Sequence, residues 1–135
     1  MELRTFGAIL TFAAEWEGEA AGWYGLHTEG AQAERLAELA AAARRREARL
    51  RRTRQEGVSE MILVPISGLD TDRYQVPLSP PQEGEPPLEG ARRLEEARRR
   101  FYGDAAAAMP IGEVAALFAR LARENARHLE ALGEP

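Results

Sequence analysis

The sequence predicts an all-α fold, four helices packed as two helical hairpins within a single domain over residues 1–135. Three observations carry this prediction. First, the chain repeats itself: FAAEWEGEAAGWY at 12–24 and ARRLEEARRRFY at 91–102 each set a glutamate ahead of an aromatic-tyrosine pair at the same spacing, Glu17 before Trp23-Tyr24 and Glu95 before Phe101-Tyr102. Second, each half is followed by another helical pattern, LAELAAAARRREARL at 36–50 and FARLARENARHLEAL at 118–132. Third, the middle of the chain turns rich in proline, glycine and acidic turn residues, so the two halves are separated by a connection and not by another helix.

The first helix is predicted over about 3–28, with Phe6, Leu10, Ala13, Ala20 and Tyr24 on one stripe. Glu17 falls on that stripe, whereas Glu15 and Glu19 fall about 200° away at 100° per residue and belong to solvent. Thr28-Glu29-Gly30 breaks the pattern, and His27 reads as a partly exposed residue capping the helix end. A second helix follows over about 31–61, with Leu36, Leu39, Ala43 and Leu50 inward and Val58 and Met61 continuing the period.

Residues 65–87, PISGLDTDRYQVPLSPPQEGEPP, form a crossover loop long enough to let helices 2 and 3 run parallel. Within it, Gly68-Leu69-Asp70-Thr71-Asp72 lacks the glycine and terminal glutamate of a calcium loop and reads as a turn. The third helix is predicted over about 88–108, with Leu94, Glu95, Arg98 and Tyr102 on one side and Met109 following. Pro110 then restricts its predecessor and opens the fourth helix, about 111–132, whose stripe is Val114, Phe118, Leu121, Asn125, His128 and Leu132.

Composition excludes several classes of function. The net charge of −4 gives no global attraction to nucleic acid or to an anionic membrane. The arginine-dense stretches Arg44–Arg54 and Arg92–Arg100 are interleaved with Glu47, Glu95 and Glu96, as in a solvated, salt-bridged helix face. No cysteine is present, which removes disulfides, iron–sulfur clusters and thiol catalysis. Glu15 and Glu17 interrupt the first apolar stretch, so neither a membrane span nor a signal peptide is predicted, and a cytoplasmic location is expected. Every one of the 18 basic residues is arginine and alanine abounds, which reads as the codon bias of a GC-rich, thermophile-like genome.

A glutamate on a core stripe is costly unless it is paired, protonated or bound to metal. Glu17 and Glu95, at equivalent points of the repeat, should converge and repel unless a positive charge lies between them or one of them holds a proton.

These residues resemble the rubrerythrin-like branch of the ferritin-like superfamily, over both hairpins and the crossover. The first-helix motif stands as Phe12-Ala13, Glu17 and Trp23-Tyr24, the third-helix motif as Glu95 and Phe101-Tyr102, and the fourth-helix motif as Leu121-Ala122 with Asn125 and His128. The resemblance implies a ferritin-like four-helix bundle and, in members with all six ligands, two iron ions that react with oxygen or peroxide. Here the fourth-helix glutamate is Asn125, and the second-helix glutamate and histidine are Ala43 and Arg46. Of the six, Glu17, Glu95 and His128 remain, a set that argues against a standard di-iron oxidase.

Two readings of the centre stay open. In one, Glu17, Glu95 and His128, helped by Asn125, bind a single divalent metal: iron, zinc or manganese. In the other, no metal is held and the Arg46 guanidinium replaces it, bridging the two carboxylates. The second is favoured because both helix-two ligands are replaced together. Glu47 could supply a carboxylate if the helix is rotated, and Arg98, one turn from Glu95, could reach inward and neutralise it. Tyr24 and Tyr102 read first as aromatic packing beside a polar core, with the radical or hydrogen-bonding roles that the resemblance implies as the alternative. The expected function is a non-enzymatic metal-binding or interaction module. The alternative is a reduced-ligand, metal-dependent oxidase or peroxidase of rubrerythrin type on Glu17, Glu95 and His128, with catalytic residues and redox partner unassigned. A homodimer or higher homo-oligomer is expected, with Ile62, Leu63, Val64 and the crossover available for the interface.

Overall fold

The computed structural model describes residues 2–26, 30, 32–61 (backbone alone for 57–61), 66–74, 87–109 and 112–132. Among these residues the chain is all-helical, with α1 Phe6–Gly25, α2 Ala33–Met61, α3 Pro87–Ala108, α4 Gly112–Leu132, a short 3-10 turn at Thr71–Arg73 and no strand. His27, Ile62, Leu63, Val64, Pro110 and the side chains of Val58 and Met61 lie outside the described residues, and so do the roles expected of them.

The start of α1 differs from the expected position 3, for a physical reason. Leu3 N–H donates to Leu69 O at 2.7 Å and Ile66 N–H donates to Arg4 O at 3.1 Å, with an antiparallel bridge between Glu2 and Asp70. Backbone groups engaged with the crossover are not free for the first helical turn. Thr5 then caps α1 from an extended conformation, its hydroxyl accepting from Ala8 N–H at 3.1 Å. Across the chain, Gly68 takes the turn with φ of 91°, a region that a side chain disfavours. Asp70 follows and caps the short 3-10 helix by accepting from Asp72 N–H at 3.0 Å, so the turn expected there is present.

Cross-helix contacts give the directions. Gly7 faces Arg54 and Gly18 faces Glu47, so α1 and α2 are antiparallel. Arg92 reaches Leu132 O and Tyr102 stacks on Phe118, so α3 and α4 are antiparallel too. Trp23 abuts Gly90 while Phe12 meets Phe101, which makes α1 and α3 antiparallel and therefore α2 and α3 parallel.

Two apolar layers follow from this arrangement. One gathers Phe6, Ile9, Leu10, Trp16, Phe101 and Phe118 with Leu3, Ile66, Leu69 and Tyr74 from the N-terminus and crossover. The other gathers Ala20, Tyr24, Leu36, Leu39, Ala43, Leu94 and Leu132. Each large side chain removed from water contributes about 1.5–3 kcal/mol. The crossover is anchored by Tyr74, whose ring meets Phe101 edge-on at 5.2 Å and whose hydroxyl donates to Asp104 at 2.5 Å. Between the layers each long helix presents buried polar residues: Glu17 on α1, Arg46 on α2, Glu95 and Arg98 on α3, Asn125 on α4. No described helix is long and apolar enough to cross a membrane.

Candidate functional site: a buried arginine–glutamate cluster

The periodicity that buries Phe6 and Leu10 on α1 carries Glu17 inward as well, because helical neighbours at i+3 and i+4 share a face. The same logic places Glu95 and Arg98 together on α3, three residues apart. Glu17, Glu95, Arg98 and Asn125 are fully buried and Arg46 retains 2% exposure, whereas Glu15 and Glu19 are exposed.

Arg46 pairs through Nε with Glu17 Oε2, and its Nη1 donates to Glu124 Oε1 at 2.9 Å. Its Nη2 reaches Glu95 Oε1 at 3.5 Å. Arg98 Nε abuts Glu17 Oε1, while Nη2 donates to Glu95 Oε1 at 3.0 Å and to the Tyr24 hydroxyl at 2.8 Å. Tyr24 passes its own proton toward Glu95 Oε1 at 2.9 Å. On the other carboxylate oxygen, Asn125 Nδ2 donates to Glu95 Oε2 at 2.6 Å and His128 Nδ1 lies 3.3 Å away. Two guanidiniums thus lie against two carboxylates, with opposite charges balanced in the innermost group and Glu124 at its rim.

The two carboxylates sit in unequal environments. Burial pushes the Glu17 carboxyl above its ordinary value, against the opposing pull of Arg98 and Arg46. Burial would raise Glu95 as well, but the Arg98 charge, the His128 contact, Arg46 and Asn125 outweigh it and hold Glu95 below the usual carboxylate range. Burial also raises the Tyr24 and Tyr102 phenols, so both stay protonated. Burial works to lower both arginines, yet the carboxylates of Glu17 and Glu95 reverse it for each of them. Tyr102, the repeat partner of Tyr24, is buried but its hydroxyl makes no hydrogen bond with a described residue.

The residues expected at the centre divide as follows. Glu95, Asn125 and His128 meet directly, and Glu17 joins them through Arg46 and Arg98. Glu47 lies outside this group, bonded to Arg51 at 3.0 Å and near Arg44 on the flank of α2. Each oxygen of Glu17 faces a guanidinium, and each oxygen of Glu95 faces a guanidinium, a hydroxyl, an amide or an imidazole. A divalent cation would enter beside two fixed positive charges, so this donor set does not fit a metal centre as arranged. No group of three or more His, Cys, Asp or Glu placed to hold a metal ion occurs among the described residues.

Two members of the cluster lie outside the expected site set. Packing is the favoured expectation for Tyr24, but its hydroxyl takes the alternative, hydrogen-bonding role, with Glu95 and Arg98 as partners. Glu124 neighbours Asn125 but points to Arg46 from the edge of the stripe, and only the approach of α2 to α4 reveals it.

Fold and site together define an all-α arrangement in which, among the described residues, four long helices surround a buried, charge-balanced cluster. Comparison of the chain with protein-family models, with curated proteins and with solved structures finds no match.

Proposed function

We propose that this chain is a ferritin-like four-helix bundle of rubrerythrin type in which two arginines stand where the family places cations, and that it serves as a non-enzymatic binding or interaction module. The observation that carries this reading is the pairing of Arg46 and Arg98 with both Glu17 and Glu95 at the equivalent points of the repeat. The cluster takes at least one side chain from every long helix, so it fixes helix register, the best-attested use of a buried polar group. Two hairpins with parallel α2 and α3 support the ferritin-like assignment, and self-association into a homodimer or larger assembly belongs to the same reading.

Metal analysis of untagged protein after reconstitution with iron(II), zinc or manganese tests the proposal. The expected content is below about a tenth of an equivalent. Stoichiometric metal that disappears in the His128→Ala protein would overturn it, and would favour the alternative of a reduced-ligand oxidase or peroxidase built on Glu17, Glu95 and His128.

A further inference from the structure

On the outer side of the cluster, α2 and α4 leave a cleft of about 330 Å³ between them. Its apolar lining is Leu39 and Ala42 on α2 and Ala131 and Leu132 on α4. Volumes of a few hundred Å³ suit small ligands. The rim is charged unevenly. Arg35 and Arg45 supply two guanidiniums against the one carboxylate of Glu38. Arg35 spends one nitrogen on Ala131 O at the end of α4, and Arg45 makes no ion pair or hydrogen bond with a described residue. His128 forms the inner wall, with 24% of its side chain exposed, and its Nδ1 already faces Glu95. The two ring nitrogens lie on opposite sides of an imidazole, so Nε2 is the one left for an occupant.

We infer that this cleft binds a small aliphatic monocarboxylic acid, its carboxylate on the Arg45 guanidinium at the rim and its short branched chain on Leu39, Ala42 and Leu132. Guanidinium and carboxylate form charge-assisted hydrogen bonds, which supplies the head-group preference. The apolar wall supplies the body preference. Glu38 disfavours a second carboxylate on the same molecule, because like charges brought together at a site cost affinity. The occupant and the buried cluster share one side chain, His128. This inference deepens the reading of the chain as a binding module.

Isovalerate is the probe, titrated into the full chain and followed by two-dimensional NMR. Saturable shifts at Leu39, Ala42, Leu132 and the His128 ring are expected, with a Kd of about 1 mM or tighter. Succinate, which adds a second carboxylate, and isobutylamine, which replaces the carboxylate by an ammonium, should each bind at least about fivefold more weakly. Arg45→Ala should weaken isovalerate about fivefold to tenfold. Ala131→Trp, at an exposed position that leaves the core untouched, should abolish the shifts while the helical signal stays unchanged. Absence of a saturable shift below about 10 mM, equal binding of isobutylamine, or shifts confined to other surfaces would each overturn the inference. The two readings fail separately: a metal-free core without isovalerate binding refutes the cleft alone, and a metal-loaded core with isovalerate binding refutes the arginine-for-metal reading alone.

Discussion

Replacing Arg46 by methionine keeps most of the side-chain volume and removes the charge that holds Glu17. Three contacts are lost, and they are unequal. Glu124 is partly exposed and so accounts for only about 0–1 kcal/mol. Glu95 lies farther from Arg46, at 3.5 Å, and keeps Arg98, Tyr24 and Asn125 as donors. Glu17 is fully buried and is left with Arg98 alone. Stranding one member of a buried ion cluster costs about 3–5 kcal/mol, and the remaining Arg98 places Arg46→Met near the lower end, about 3 kcal/mol. For a domain of this size that lowers Tm by roughly 10 °C at neutral pH. The pH dependence follows from Glu17. Burial already holds its folded carboxyl above the ordinary carboxylate value, so the folded state binds its proton more tightly than the unfolded chain does. Such a group favours the fold fully below the unfolded value, and that contribution is lost as pH rises toward the folded one. Removing Arg46 raises the folded value further, so the deficit of Arg46→Met should be larger at pH 7.5 than at pH 5. Urea unfolding at both pH values measures it. A difference within about 0.5 kcal/mol at pH 7.5, the size of an ordinary surface substitution, refutes the reasoning. Adding Glu17→Gln should recover about 1–3 kcal/mol, since both halves of the pair are then neutral.

Other consequences concern tyrosines and glycines. Tyr24→Phe should cost about 1–2 kcal/mol, because it leaves Glu95 and Arg98 each short of a buried partner, whereas Tyr102→Phe should be neutral or stabilising. Equal losses in thermal melts would contradict this. Ultraviolet titration should show no tyrosine ionising near pH 10 in the folded protein: Tyr74 is pushed up to about 12 by burial and Asp104, and Tyr24 and Tyr102 are raised by burial. Raised phenols favour the fold below pH 10 and lose that contribution above it, so a step at pH 10 without loss of helical signal would count against the buried placement. Gly90→Ala would put a methyl 2.5 Å from Trp23 Cη2, and despite the helical preference of alanine it should destabilise by about 1–2 kcal/mol. Gly103→Ala, with nothing within 4 Å, should instead stabilise by about 0.5–1 kcal/mol, and calorimetry on the pair checks the contrast.

Helical period was legible throughout, and with it the inward set: Phe6, Leu10, Glu17 and Tyr24 on α1, Leu36 and Leu50 on α2, Leu94 and Glu95 on α3, Phe118 and Asn125 on α4 are all buried. Period is a local property, fixed by 3.6 residues per turn, so residues on one helix betray their common face. Helix ends were less legible. α1 starts at Phe6 because Leu3 and Arg4 pair with Ile66 and Leu69, partners more than sixty residues away that no local pattern announces. The short helix at Thr71–Arg73 and the seat of Tyr74 on Phe101 were hidden for the same reason.

The sequence by itself determined that four helices form and that Glu17 and Glu95 enter the core at matched points of a repeat. It also showed that the partner helices carry Ala43 with Arg46 in one hairpin and Asn125 with His128 in the other. Tertiary structure decided what those charges do. Arg46 could have snorkelled to solvent and Arg98 could have stayed on a salt-bridged face, since long side chains leave both options open until helices pack. Only the approach of α2 to α1 and α4, and of α3 to α1, makes the two guanidiniums the nearest partners of both carboxylates and draws in Tyr24 and Glu124. Burial excludes water from those glutamates, and a carboxylate without water takes whichever positive charge the packing presents.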